Sequence, residues 1–419
     1  MREIERHGDF FVLDITVQPI NKYNEQVLPA TEHLECARRV KVDYFVIPAN
    51  YHKPLVGVLI ARKSKKGYPL PTGKKAKIDQ EMILAAKDKG IFMYYFFADG
   101  WNLKDGMVRG HTWLQGAWRI KCFPMPNIVY NRIVYRSCES QKSVKKIVME
   151  IQDCSEIYLF NTRFLEKWEV YQALKDHQLA HTLPVTQLFT KKNLDEFTSS
   201  FDEIFIKPRD GSLGKGIIKV ICLPNGRFCY APVSKNRTEW KKAKSINDLY
   251  QGILHLSGRE AHKMILQQGL PLARFQKRIF DIRTLIQKDG SGIWTYVGGG
   301  VRIAGPDRFV THIPNGGKHG RLGEIIPAVF GNTVQVADVE AQIQAVVRWV
   351  PQTLENNTKL NLAVLSLDLG IDPSGKVWII EVNSKPAAFD EDQVRKKHLA
   401  ILNDYFRYVY SEHNMKREG

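Results

Sequence analysis

No apolar run in this chain reaches the roughly 18 residues that a membrane-spanning helix needs. The most apolar stretch, YFVIPANYHKPLVGVLIA, is broken by Pro48, Asn50, His52 and Lys53. The opening residues, MREIERHGDFFVLD, are charged and lack the apolar centre of a signal peptide, so membrane insertion and export are not expected. Cysteine is sparse: Cys36, Cys122, Cys138, Cys154, Cys222 and Cys229 form no Cys-x-x-Cys pair. This argues against a zinc ribbon and a disulfide framework, and a reducing cytoplasm is the simplest setting. No internal repeat is visible. Negative charge is also short, with 44 acidic residues against 61 basic ones and a formal net charge of +17. Such an excess suits nucleic acid, an acidic membrane, or a phosphate-bearing or polyanionic substrate.

The hydrophobic content of 44% and aromatic content of 11% describe a packed protein, and 419 residues suggest two or three domains. Part of the basic excess lies in RKSKKGYPLPTGKKAK (62–77), with seven basic residues and no acidic one, and in SKNRTEWKKAK (234–244). Both runs carry loop signals and read first as solvated loops. Neither interleaves the aromatics of a single-strand stacking platform, so nucleic acid is not the expected partner.

Residues 1–50 suggest a few short strands, including FFVLDITV and YFVIPA. Strand-like VGVLIA, helix-like DQEMILAAKDKG and strand-like IFMYYFF then suggest a βαβ unit with a small parallel sheet. Helical periodicity covers 161–177, with Asn161 or Thr162 as N-cap, and 338–356, where Pro351 is expected to kink the helix. The two runs of IIKVICLPNGRFCYAP read as a hairpin. MILQQGL, DIRTLIQ, IWTYVGGGVRIA, AVLSLDLG and VWIIEVN read as strands, and DQVRKKHLAILNDYFRYVYS as an amphipathic helix. The second half is thus α+β with a mostly antiparallel sheet.

Four stretches could carry chemistry. In IKPRDGSLGKGI (206–217), Lys207 ends a strand and Gly211, Gly214 and Gly216 follow before another strand. This is not a P-loop, because Gly216 stands where Ser or Thr should be and no helix follows. Strand, glycine loop, strand can fold over phosphates, since glycines let backbone N–H groups approach an anion; it serves equally as a flexible hairpin loop. In FDIRT (280–284), Asp281 and Arg283 share a strand face, which by itself favours a plain salt bridge. In VRIAGPDRFVTHIPNGGKHG (301–320), Arg302, Asn315, Gly316 and Gly317 lie in or beside loops suited to oxyanions, though such a stretch is more often only a loop. In LSLDLGIDPSGKVWIIEVN, Asp368 stands on one strand and Glu381 and Asn383 on the next, joined by a turn at Asp372–Gly375. Paired as a hairpin, these would bring three oxygens together. Apolar strands hold carboxylates at a cost unless they are paired or metal-bound, and neither strand core contains a basic residue. The set therefore reads as a magnesium site completed by phosphates.

In this order the motifs resemble the ATP-grasp superfamily. They look more narrowly like its endospore coat-associated YheC/YheD family, on GAWRIKCFPMPNIVYNRI, NTRFLEKWEVYQALKDHQLAHTLPVT, FDIRTLIQKDGSGIW and LDLGIDPSGKVWIIEVNSKP. The resemblance covers roughly residues 55–410. It implies an ATP-grasp fold of mixed α/β and α+β class. The expected parts are a small β-rich segment (1–50), an α/β pre-ATP-grasp domain (51–155), a subdomain with the glycine-rich phosphate loop (156–265) and a subdomain with the metal site (266–415). The resemblance assigns Lys167 and Lys207 to the phosphates, Ser212, Leu213 and Gly214 to the covering loop, and Gln267, Gln268 and Leu270 to the adenine hinge. Asp281 falls near the ribose, Arg283 at the reacting phosphoryl group, Arg302 on substrate, and Asn315 and Gly316 by the γ-phosphate. Asp368, Glu381 and Asn383 match ligands of one or two Mg²⁺ ions. Ala387-Ala388 replaces a more usual glycine, which points to a different acceptor pocket.

The implied chemistry is ATP-dependent joining of a carboxylate to an amine or thiol through an acyl-phosphate, with Arg283 and Lys207 as catalytic groups. An acidic peptide or polyanion would suit the charge, and spore coat proteins are implied partners. The implied location is the cytoplasm of the forespore or mother cell, or the coat. One rival keeps the fold as a non-catalytic ATP-binding or structural coat protein. Another, a nucleic-acid-binding protein, rests on charge alone and predicts salt-steep affinity that survives mutation of Glu381.

Overall fold

The computed structural model describes residues 2–7, 10–15, 42–46, 52–62, 70–211, 214–233, 239–306, 311, 316–331 and 333–418; for 2–46, 334 and 416–418 it describes the backbone only. Much of both basic runs, at 63–69 and 234–238, lies outside the described residues. Contacts divide the chain into two compact units, Met1–Leu159 with Phe406–Gly419, and Phe160–Tyr405.

The first unit is built on a nine-stranded sheet. At its heart Leu55–Ile60 runs parallel to both Phe92–Asn102 and Ile128–Asn131, as the βαβ reading expects, with helix Gly73–Asp88 between the first two. All six residues of Leu55–Ile60 are buried, which is why the strand reads as continuous apolar sequence rather than an alternation. Leu59, Tyr94, Phe96, Phe123 and Val129 form its core. Strands Arg2–His7, Phe10–Ile15 and Val42–Val46 extend this same sheet, the last pairing in parallel with Ala117–Pro124.

The second unit holds two sheets whose strand pairs are all antiparallel among the described residues. One has the order Thr186–Leu188, Met264–Gln268, Glu203–Pro208, Ile218–Cys222, Phe228–Pro232, Lys241–Ala243. Helices Lys191–Ser200 and Ile246–Ser257 cover one of its faces through Leu194, Phe197, Leu249 and Ile253, packed on Ile204, Ile206 and Val220. Each helix starts at a hydroxyl N-cap, Thr190 or Ser245, which accepts from the third residue on. The other sheet runs Lys318–Gly320, Trp294–Ile303, Arg278–Lys288, Val364–Ile371, Val377–Asn383. Helix Thr333–Thr358 buries Val339, Ile343, Val346 and Val350 in the core shared with Ile282, Leu365, Leu367 and Leu369. It is longer than the expected 338–356 and continues through Pro351.

The helix expected over 161–177 is shorter, Lys167–Leu174, and neither Asn161 nor Thr162 caps it. Glu166 and Glu169 form a reciprocal capping box instead. Asn161 is buried at φ 53°, a left-handed conformation that asparagine tolerates. Its Nδ2 donates to Val364 O at 2.7 Å and to Ser384 O, and its Oδ1 accepts from Ala363 N at 2.9 Å and Val364 N at 3.2 Å. A residue that looked like a helix signal is a clamp between distant segments.

Candidate functional site

Within the second unit a cavity of about 680 Å³ is lined from both sheets. On the first sheet, alternation along Glu203–Pro208 sends Ile204 and Ile206 into the core, and Glu203, Phe205 and Lys207 to the cavity. Gln267 and Lys219, each opposite Phe205 on a flanking strand, share that face. Lys207 Nζ donates to Gln267 Oε1 at 2.5 Å, and Gln267 Nε2 donates to Thr186 Oγ1 at 3.3 Å. Lys219 pairs with Glu203 at 2.8 Å. Burial, together with the charge of Lys167, pulls the Lys207 ammonium down to about 8, against the opposing pull of Glu381.

Lys167 opens its helix, where its backbone N–H donates to Arg209 O at 2.9 Å. Its Nζ donates to Gly211 O at 2.6 Å and to Glu381 Oε1 at 3.0 Å. One ammonium therefore bridges the glycine-rich loop and the candidate metal carboxylate. In that loop Gly214 and Gly216 have φ of 70° and 72°, and a Cβ on Gly216 would stand 2.9 Å from Pro208 Cγ. Ser212, Leu213 and Asn315 lie outside the described residues.

The second sheet confirms the hairpin of the metal motif. Asp368 lies directly opposite Glu381, and Ser366 opposite Asn383. On the other side of Val364–Ile371, Arg283 faces Asp368, so Arg283, Asp368 and Glu381 form one row across three strands. The turn between the two metal strands is held by Asp372, whose Oδ1 accepts from Ser374 N at 2.9 Å and Lys376 N at 3.1 Å.

Asp281 does not pair with Arg283, its neighbour in FDIRT. Its partner is Arg302, opposite it on the next strand, which donates Nε to Oδ1 at 2.8 Å and Nη2 to Oδ2 at 2.6 Å. Thr311 Oγ1 adds a bond to Asp281 Oδ2 at 2.5 Å. Arg302 Nη2 also stands 2.8 Å from Asp368 Oδ2. Arg302, last but one in Trp294–Ile303 and so beside the following loop, is buried and neutralises two carboxylates. Burial lowers its basicity, but Asp368 and Asp281 more than offset this and hold it above the ordinary guanidinium value. Arg283 stacks 5.5 Å from the Phe389 ring centroid.

The strands bearing Asp368 and Glu381 contain no base in their cores, as their sequence indicates, yet both carboxylates have cationic partners. Arg302 and Lys167 come from other elements, which a count within two strands could not reveal. Glu381 is paired with Lys167 and Asp368 with Arg302. Among the described residues no three His, Cys, Asp or Glu side chains gather into a metal cluster. Two carboxylates with the Asn383 amide fit a magnesium ion that takes its remaining oxygens from phosphate and water.

Of the expected residues, Lys167, Lys207, Gly214, Gln267, Gln268 and Leu270 line the cavity, as do Asp281, Arg302, Asp368 and Glu381. Arg283, Asn383 and Gly316, whose φ is 90°, lie outside its lining. The sequence reading missed the Phe205, Glu203 and Lys219 group. It also missed Arg274, Lys277 and Arg278, although three bases just before FDIRT were a visible signal.

A family model described as YheC/D-like ATP-grasp matches residues 156–410. Endospore coat-associated protein YheD of Bacillus subtilis (strain 168) is 27% identical over 404 residues, covering 94% of this chain and 84% of that protein. Endospore coat-associated protein YheC of the same strain is 22% identical over 281 residues, covering 64% of this chain and 73% of that protein. Among solved structures, the D-alanine-D-alanine ligase from Coxiella burnetii aligns with a TM-score of 0.48 at 10% identity, covering 87% of this chain and 98% of that one.

Proposed function

Since the chain belongs to the YheC/D-like ATP-grasp family, we propose that it is an ATP- and magnesium-dependent ligase that joins a carboxylate to an amine or thiol. The observation that carries this reading is the meeting, in one cavity, of Lys167 and Lys207 with Asp368 and Glu381. A purely structural protein has no need to gather two lysines and two carboxylates around one cavity, with Lys167 bonded to Glu381 and Arg302 to Asp368.

Lys167 and Lys207 bind the phosphate chain, beside a loop whose Gly214 and Gly216 take the positive φ that lets backbone approach an anion. The half-buried ammonium of Lys207 gives each contact more weight than it would have in water. Asp368, Glu381 and Asn383 would hold the magnesium, which would supply positive charge to neutralise charge that develops on the phosphates. Arg283, in one row with Asp368 and Glu381, is the family's candidate for the reacting phosphoryl group, and Arg302 keeps Asp281 and Asp368 in place. A substrate carboxylate attacks the γ-phosphorus, ADP leaves, and an amine or thiol then displaces phosphate from the acyl-phosphate. No enzyme nucleophile is required. We associate the protein with spore coat components, in keeping with the names of its relatives.

Calorimetric titration of ADP with and without Mg²⁺, into the wild type and Glu381→Gln, tests the reading. Binding that requires Mg²⁺ and weakens in the variant supports it. Folded wild type that binds no nucleotide would sink it.

A further inference from the structure

The cavity is more positive than a nucleotide needs. Eight cationic side chains and four carboxylates line it. The carboxylates are all engaged by three of the cations: Lys167 with Glu381, Lys219 with Glu203, and Arg302 with Asp281 and Asp368. Lys207 is bonded to Gln267 and lies beside the phosphate loop. These four inner cations, Lys167, Lys207, Lys219 and Arg302, equal the four carboxylates in number. Four cations remain: Lys215, Arg274, Lys277 and Arg278. Among the described residues none of the four has an acidic side chain within ion-pair distance, and all but the half-buried Arg278 are exposed, so they form the rim.

Three of the four sit on one rigid device. Arg274–Phe275 pairs antiparallel with the start of Arg278–Lys288, closed by the two-residue turn Gln276-Lys277. Both turn residues are left-handed, at φ 49° and 63°, the conformation of a tight hairpin turn that normally selects Asn-Gly. Two side-chain-bearing residues there carry strain, and strain of this kind persists where the surroundings enforce it. Arg274 Nη1 donates to Lys277 O at 3.0 Å, which locks the arginine to the turn. The hairpin therefore presents three positive charges at the opening, with the Arg274 and Arg278 side chains bonded to its turn.

We infer that this hairpin, with Lys215 of the same cavity lining, is a docking subsite for an acidic peptide, whose consecutive Glu or Asp side chains lie across the rim while nucleotide occupies the interior. The inference rests on the ligase reading above and gives its carboxylate substrate a class and a place. Single-stranded nucleic acid fits the rim less well. Its binding leans on aromatic stacking; the hairpin's own ring, Phe275, packs on the core, and Phe205 is the one aromatic among the cavity's described lining residues.

The test uses the full chain and fluorescein-labelled hexaglutamate, read by anisotropy at low salt. The rim variant is Arg274→Ala/Lys277→Ala/Arg278→Ala. The control, Lys142→Ala/Lys145→Ala/Lys146→Ala, removes the same charge from an exposed helix of the first unit. Exposed charge pairs are individually weak, so the rim variant should bind hexaglutamate about tenfold more weakly than wild type. The control should stay within about twofold, and Mg·ADP affinity should be the same in all three. Equal hexaglutamate binding by wild type, rim variant and control would overturn the inference and leave the nucleotide reading standing. Loss of Mg·ADP binding in the rim variant, equal to its loss of peptide binding, would assign the hairpin to the nucleotide and also overturn it. So would rim-dependent binding of an oligouridylate of the same charge that exceeds binding of the peptide. Failure of wild type to bind Mg·ADP, with peptide binding intact, would instead strike the ligase reading.

Discussion

Lys207 makes the nucleotide site sensitive to pH in a range where few side chains titrate. Its ammonium is brought down to about 8 by burial and by Lys167, whereas an ordinary lysine stays charged past pH 10. Phosphate binding selects the charged form, so affinity is full below pH 8 and falls as pH rises through it. If only the protonated form binds, the apparent Kd grows by the factor 1 + 10^(pH − pKa). That is close to unity at pH 7 and about elevenfold at pH 9, near 1.4 kcal/mol. Nucleotide phosphates have finished titrating by pH 7.5, with a second pKa near 6, and contribute no slope of their own. The assay is calorimetry of Mg·ADP at constant ionic strength between pH 7 and 9, on wild type and Lys207→Arg. The arginine stays charged throughout, so its affinity should be flat. A flat wild-type profile, or the same fall in Lys207→Arg, would refute the argument that Lys207 is a desolvated phosphate ligand.

Lys167→Met should have effects of opposite sign: Mg·ADP binds about tenfold more weakly, while Mg²⁺ alone binds more tightly because Glu381 has lost its resident ammonium. Magnesium titrations with and without nucleotide read both. Asn161→Ala removes four hydrogen bonds to buried backbone and leaves alanine at positive φ. A loss of about 3 kcal/mol or more is expected, seen as a fall of roughly 6–12 °C in Tm by calorimetry. Gly269→Ala would place a Cβ 2.6 Å from the backbone oxygen of Glu203, which cannot rotate away. The strand must shift, at about 1–3 kcal/mol. Because Gln268 and Leu270 flank the position, Mg·ADP affinity should fall with it; unchanged binding and stability would show that this strand end tolerates the shift.

Strand and helix types across the second unit were legible because the patterns are local. Apolar strand runs such as VWIIEVN, a turn signal at Asp372–Gly375 and the hairpin of IIKVICLPNGRFCYAP need no distant partner to be recognised. The same locality exposed Lys207 at a strand end and the Asp368, Glu381, Asn383 set, since strand alternation alone puts Glu381 and Asn383 on one face. Counter-charges were not legible. Arg302 reaches Asp281 and Asp368 only because three strands align in register, and Lys167 meets Glu381 across 214 residues of chain. Asn161 misled for the same reason: next to a helical pattern it looks like a cap, and only the packing of Val364 and Ser384 around it makes it a clamp. The basic rim is an intermediate case, its three residues plain in ARFQKRIF but their position over a cavity set by a turn conformation that no local preference favours. Sequence by itself determined which residues alternate, turn and carry charge. The tertiary structure decided which charges meet, because electrostatic pairing depends on distances in space that no spacing along the chain can encode.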